Sequence, residues 1–281
     1  MALEHLEGAT YGPRPVTISP AKVGEYVAAT GDDSQRWIEF APPGYAGALL
    51  FVIAPDFLSS DAVVGHTSVL IHADQTFVWH AALGVGRRAE ITGRIDRVRS
   101  RGGVDFVSFA ASVSAEDGST ILDSSSTFLL GAEPAGQPPE ARHEPAVAMA
   151  ASNDPLPATI DGAWPAVTRS VSRLDLVKYA AASGDFNPIH FDHDAAVGAG
   201  LPGIVAHGLL MGAWLLQPPA ALRGSDRPLE RAKLRFRDPL FPGVAATLSG
   251  SLRESGTDAD LELVDSGGAV LVTAQVRLAG E

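Results

Sequence analysis

The 281-residue sequence predicts an α+β fold made of two tandem copies of one unit, each an antiparallel sheet wrapped around a central apolar helix, packed side by side as a pseudo-dimer. Three correspondences carry this reading. Tyr26-Val-Ala-Ala-Thr-Gly-Asp32 returns as Tyr179-Ala-Ala-Ala-Ser-Gly-Asp185. Pro43-Gly44 precedes the apolar stretch Tyr45–Ile53, as Pro202-Gly203 precedes Ile204–Leu216. Ile91-Thr-Gly-Arg-Ile95 parallels Leu248-Ser-Gly-Ser-Leu252, and each lies shortly after a basic and aromatic segment, Phe77–His80 or Arg235–Arg237. Matches kept in one order along a chain are the mark of an internal repeat.

The elements follow in order. In residues 1–130, Ser19-Pro20 opens a helix, Tyr45–Ile53 forms the apolar one, and strands are expected near Thr76–His80, Arg88–Val98, Val104–Glu116 and Thr120–Leu130. Residues 131–157 contain six prolines without helical or alternating period, the composition of a linker. In residues 158–281, Ser172 and Asp175 resemble a capping box, after which Leu174, Val177 and Ala181 share one face of a helix ending near Gly184. Alternating segments then run over Leu229–Arg237, Ala245–Glu254, Ala259–Asp265 and Ala269–Leu278, with turns at Pro242-Gly243, Ser255-Gly256 and Gly267-Gly268. A helix apolar all round must be covered on most sides, which a curled sheet does.

Composition narrows the function. The 33 acidic and 21 basic side chains leave a formal charge of −12, which repels nucleic acid and anionic lipid surfaces. With no cysteine there is no disulfide, thiolate metal site or cysteine nucleophile. Met1–Thr10 lacks the basic start and apolar core of a secretory signal, and the apolar run Leu201–Gln217 is interrupted by His207 and too short for a span of about 20 residues. The expectation is a cytoplasmic protein without membrane or nucleic-acid partners.

Ser183-Gly-Asp185-Phe-Asn187-Pro-Ile-His190 brings a carboxylate, an amide and an imidazole together in a turn, since glycine before and proline after break the helix. Such a turn can aim Asp185 and His190 at one water, whereas residues five apart on a regular helix lie on different faces. Alone, the pair also fits a helix-capping Asp and a hydrogen-bonded turn His. The segment, followed by Val205-Ala-His-Gly208 at the head of an apolar helix, resembles the signature of the MaoC-like, (R)-specific enoyl-CoA hydratases and 3-hydroxyacyl dehydratases, a double-hotdog type here. The resemblance implies that Asp185 and His190 hold and activate water, that Asn187 orients them, and that Gly208 gives a backbone N–H to the thioester oxygen. It also implies an acyl-CoA or acyl carrier protein substrate and (R) stereochemistry; a base, an acid and an oxyanion donor require no metal or organic cofactor.

The residues suit that chemistry. Hydrating an α,β-unsaturated thioester needs a base for water, an acid for the α-carbon and a donor for the enolate oxygen. In the first copy Asp32 stands opposite Asp185, but Ser34 faces Asn187 and Trp37 faces His190. An indole N–H is no base, so that half is expected to be non-catalytic and, by the resemblance, to form part of the acyl cavity, with Ser59–Gly65 and Tyr45–Ile53 as candidates.

Other readings compete. His190 and His193 with Asp192 and Asp194 offer metal-binding side chains, although a third convergent ligand set is not evident; His193 and Asp194 also suit a solvated helix start. His207 fits a buried histidine bonded to backbone. Lys233, Arg235 and Arg237 alternate and so share one strand face that could hold the phosphates of coenzyme A, or merely solubilise it; Arg97, Arg99 and Arg101 form a similar row. Met211 and Trp214 suit the core. A non-catalytic acyl-thioester-binding protein and a thioesterase are the rival functions. A monomeric pseudo-dimer and a homodimer are both compatible with two units per chain.

Overall fold

The computed structural model describes residues 3–65, 67, 69–131 and 159–280. In the first half β1 (Thr10–Thr17) leads into α1 (Pro20–Thr30), α2 (Ala46–Leu58) and the single turn α3 (Asp61–Val64), then β2 (Val69–Trp79), β3 (Arg88–Arg101), β4 (Val104–Ala115) and β5 (Thr120–Gly131). The second half repeats the series: β6 (Ala163–Arg169), α4 (Arg173–Ser183), a short α5 (His193–Gly198), α6 (Gly208–Ala221), then β7 (Leu229–Phe236), β8 (Ala246–Leu252), β9 (Asp258–Asp265) and β10 (Val270–Leu278). Of the expected linker 131–157, Gly131 ends β5 and the rest lies outside the described residues.

The strands form one antiparallel sheet ordered β1-β3-β4-β5-β2-β7-β10-β9-β8-β6, so each half reads identically from its outer edge to the centre. The halves join where β2 pairs with β7, with Asp74 opposite Arg235 and Thr76 opposite Lys233. Left apart, each of those strands would expose a row of unpaired backbone groups. The outermost strands, β1 and β6, escaped the sequence reading because both carry proline, which interrupts a ladder and is tolerated in strands mainly at sheet edges.

The repeat is reproduced atom for atom around α1 and α4. Thr30 Oγ1 donates to the Tyr26 carbonyl at 2.9 Å and Ser183 Oγ to the Tyr179 carbonyl at 2.7 Å. Both helices then stop at a glycine in the left-handed region, Gly31 with φ 64° and Gly184 with φ 79°, a backbone that side-chain-bearing residues resist. The rings of Tyr26 and Tyr179 meet at 5.8 Å between the halves. The third correspondence holds in the sheet too: Gly93 lies opposite Tyr11 and Gly250 opposite Trp164, each pair joining an edge strand to its neighbour.

Two details differ from the sequence reading. On α4 the Ser172–Asp175 capping box forms, but Leu174 and Val177 are exposed; the buried face holds Leu176, Tyr179, Ala180 and Ser183, because Tyr179 must meet Tyr26 of α1. Pro43-Gly44 abuts the start of α2 at Ala46, whereas a longer loop separates Pro202-Gly203 from α6 at Gly208. Measured from the helix starts, Tyr45-Ala46 is therefore the counterpart of His207-Gly208.

Helix α6 is buried from Leu209 to Ala220, with Met211 and Trp214 in the core as expected. The sheet closes tightly beyond it. A Cβ built on Gly250 would lie 2.6 Å from the Asp260 carbonyl oxygen and 2.7 Å from Leu261 Cγ. Since overpacking typically destabilises by about 1–3 kcal/mol, Gly250→Val is expected to lower the thermal unfolding midpoint measured by calorimetry, and an unchanged midpoint would contradict this packing.

Candidate active site

The turn after Gly184 is built from local hydrogen bonds. The Asn187 backbone N–H donates to Asp185 Oδ1 at 3.3 Å, and the Asn187 side chain caps the 3₁₀ turn Pro188–His190 by accepting from Ile189 N. The Asn187 amide also reaches out of its own half, with Nδ2 3.5 Å from the Leu70 carbonyl of β2. A Cβ on Gly184 would lie 3.6 Å from Phe51 of α2. Thus the turn belongs to the second half by sequence but leans on the first half's helix and central strand.

His190 Nδ1 lies 2.8 Å from the Val205 carbonyl. A carbonyl can only accept, so Nδ1 carries the proton and Nε2 keeps its lone pair. His207 likewise places Nε2 3.2 Å from the Asp185 carbonyl, which assigns the proton to Nε2. Its ring stacks on His190 with centroids 3.7 Å apart and planes 25° apart. One ligating atom each from Asp185, His190 and His207 lie within 4.8 Å of one another, a separation that one water can bridge.

Burial sets the electrostatics. Asp185, His190 and His207 are 8%, 6% and 0% exposed. Desolvation raises the Asp185 pKa, opposed by the His190 charge and the Asn187 N–H. Desolvation also lowers the His190 pKa, opposed by Asp185 and the Val205 carbonyl. Both groups are driven toward their neutral forms, which narrows the gap for moving a proton between them.

Gly208 begins α6, whose N-cap residue His207 makes no side-chain cap hydrogen bond. The first N–H groups of a helix have no intrahelical acceptor and sit at the positive end of its dipole, so this end favours a developing oxyanion. The space there is tight, since a Cβ would lie 3.1 Å from the Phe236 ring, which would have to shift to admit one.

The four sequence-selected residues Asp185, Asn187, His190 and Gly208 thus converge. The sequence-based metal set does not: Asp192 caps α5 by accepting from Asp194 N and Ala195 N, and His193 begins that helix, apart from His190 in the buried site. Among the described residues the cluster with ligating potential is Asp185, His190 and His207. With the two imidazole planes 25° apart, in-plane lone pairs run nearly side by side instead of meeting at one ion.

Lys233 and Arg235 are not brought to this site. They alternate with Ala232 and Leu234, which are buried beneath α6, so they point to the opposite face of the sheet. There Arg235 lies 3.2 Å from Asp74, and Lys233, Arg235 and Arg237 border a groove shared with Asp260 and Glu262. The strand ends at Phe236, leaving Arg237 beyond it. Arg97, Arg99 and Arg101 are exposed on β3.

At the equivalent place in the first half, Trp37 Nε1 donates to Asp32 Oδ1 at 3.0 Å, and burial raises the Asp32 pKa. The indole occupies the position of the imidazole and holds the carboxylate instead of offering a base. Arg36 beside it bonds the Ala220 and Arg223 carbonyls at the C-terminal end of α6. Sequence reasoning missed the stacking of His207 on His190 and the contributions of Leu70, Phe51 and the Val205 carbonyl. Backbone groups and cross-half contacts leave no mark in residue type; only the adjacency of His207 to Gly208 hinted at the first.

Comparison with known proteins gives a consistent picture. Residues 156–267 match the MaoC like domain, and residues 5–124 match the FAS1-like dehydratase domain region. The chain is 30% identical over 280 residues to 3-hydroxyacyl-thioester dehydratase X of Mycobacterium tuberculosis, covering 98% of this chain and 91% of that protein. A crystal structure of HtdX from the same organism superposes with TM-score 0.69 at 25% identity, over 95% of this chain and all (100%) of the other. A conserved M. tuberculosis protein described as a double hotdog fold superposes with TM-score 0.65 at 13% identity, over 97% and 96% of the two chains, a likeness of fold alone. Among the described residues no helix is long and apolar enough to cross a membrane.

Burial of the histidines makes stability depend on pH. Desolvation depresses the pKa values of His190 and His207, and that of His72, near Phe236, to about 4. Each then binds its proton more readily when unfolded, so stability is full above the unfolded value near 6.5 and falls as pH drops below it, by up to ~1.4 kcal/mol per pH unit per group. Asp185, with a raised pKa, acts in the opposite sense closer to the carboxylate range. The unfolding midpoint should therefore decline from pH 7 to pH 5; a flat profile would mean that these imidazoles take up protons within the fold.

Proposed function

The chain belongs to the MaoC-like, double-hotdog family of 3-hydroxyacyl-thioester dehydratases and is a hydro-lyase, and from that premise we propose that Asp185 and His190 catalyse the reversible hydration of trans-2-enoyl thioesters to (R)-3-hydroxyacyl thioesters of coenzyme A or acyl carrier protein. The observation that carries the residue assignment is the buried meeting of Asp185, the free Nε2 of His190 and the start of α6.

In the hydration direction water sits between the Asp185 carboxyl and His190 Nε2. As its oxygen bonds to C3, His190 takes the proton and charge passes through the conjugated system to the thioester oxygen. The Gly208 N–H and the positive end of α6 stabilise that enolate. Asp185, easier to protonate because it is buried, delivers a proton to C2, and transfer from His190 to Asp185 restores the pair. Water's hydroxyl ends on C3 and one hydrogen on C2, and dehydration retraces the same steps. Asn187 keeps Asp185 in place and ties the turn to β2. In this reading the first half supplies a wall through Phe51 and Leu70 but no base.

The test follows the loss of enoyl-thioester absorbance on crotonyl-CoA and a longer 2-enoyl-CoA, with thiol release and product configuration measured alongside. Wild type should consume the enoyl group without releasing thiol and yield the (R)-3-hydroxyacyl product. Asp185→Asn and His190→Ala should each lower kcat by at least ~10²-fold, whereas Asp32→Asn, at the counterpart carboxylate, should stay near wild type. Thiol release would replace this reading with a thioesterase, and binding without turnover with an acyl-thioester-binding protein. The rate should fall as pH drops through the range in which the base His190 takes up a proton, which burial places below its ordinary value of about 6.5.

A further inference from the structure

We propose that His207 is a positioning residue for the hydration reaction, holding the acid–base pair in register with the N-terminus of α6 through its bond to the Asp185 carbonyl and its stack on His190. The proposal rests on the function given above. His207 touches every part of the site that must be aligned. Its Nε2–H binds the backbone of Asp185 at 3.2 Å, one ring face lies 3.7 Å from His190, and it directly precedes Gly208. Tyr179 of α4 packs against it with ring centroids 4.9 Å apart.

The first half provides an internal control. There the counterpart of His207 is Tyr45, which packs edge-on against Tyr26 at 5.4 Å and so keeps the ring contact to the neighbouring helix. Support for the helix is thus met by an aromatic ring in both halves. An imidazole stands at this position in the half that has Asp185 and His190, and a phenol in the half where Trp37 holds Asp32. What histidine adds over tyrosine is a compact donor to the turn carbonyl and a flat face for the base.

Full burial keeps His207 neutral: desolvation takes its pKa well below the ordinary value, the nearby His190 lowers it further, and the Asp185 carbonyl opposes both. The titratable groups facing it are Tyr179 from α4 and Asp185 and His190 from the turn. A neutral ring against His190 leaves room for that residue to become an imidazolium during turnover, whereas a charged one would repel it.

Two substitutions separate the contributions. His207→Phe keeps a ring and removes the donor; His207→Gln keeps a donor at similar reach and removes the ring. Since small misplacements of reacting groups can slow a step by up to about 10²-fold, His207→Phe should lower kcat by roughly 10–100-fold with little change in KM, and His207→Gln should recover part of that loss. Titration of the His190 imidazole by NMR, without substrate, should move in both variants. If both keep the wild-type kcat and His190 titration while only the unfolding midpoint falls, His207 is a structural residue and the proposal is overturned. If wild type proves unable to hydrate enoyl thioesters, the titration still decides whether His207 sets the state of His190, so the two readings fail separately.

Discussion

Pairing of β2 with β7 is the interaction on which the rest of the molecule depends. It turns two five-stranded sheets into one of ten and lets both apolar helices lie on the same side of it. It also brings Leu70 of β2 within reach of Asn187, so the turn bearing Asp185 and His190 is braced by a strand from the other half. A single unit would have an open strand edge where β2 now meets β7 and a turn without that brace. Duplication within one chain makes the pairing intramolecular, independent of protein concentration.

The two halves use nearly the same backbone for different ends. Each carries a helix that back-bonds through Thr30 or Ser183, stops at a left-handed glycine and presents an aspartate whose pKa is raised by desolvation. The outcome then turns on a single partner. Beside Asp185 stands an imidazole whose Nδ1–H is bound to Val205, leaving the Nε2 lone pair in a buried site. Beside Asp32 stands an indole that donates its only N–H to the carboxylate. The second arrangement anchors the C-terminal end of α6 through Arg36, while the first sits at the N-terminal end of the same helix. One helix is thus gripped at both ends by the two versions of one motif.

Low dielectric surroundings link these functional features to stability. Burial that makes Asp185 easier to protonate and His190 harder to protonate also makes the unfolded chain the better proton acceptor below pH 6.5 at its buried histidines. The burial proposed to serve proton transfer therefore carries a stability penalty on acidification, a familiar tension between activity and stability.

How much of this was legible depended on whether the signal was local. The repeat, the Ser172–Asp175 capping box, the inner strands and the turn bearing Asp185 and His190 could all be read along the chain, because turn chemistry, helix breaking and strand alternation are set by neighbouring residues, whereas Gly208 was added by family resemblance. The prolines of β1 and β6 hid those strands, since only their place at the sheet edges makes such sequences acceptable. The buried face of α4 was chosen by Tyr26 across the interface, not by the helix's own pattern. Residue order alone thus determined a duplicated unit and the chemical groups gathered in the turn after Gly184. Tertiary structure decided that Lys233 and Arg235 lie on the sheet face away from that turn, that His207 stacks on His190, and that Leu70 braces Asn187, because these depend on which surfaces meet when two sheets join, a long-range packing outcome that no short stretch of chain encodes.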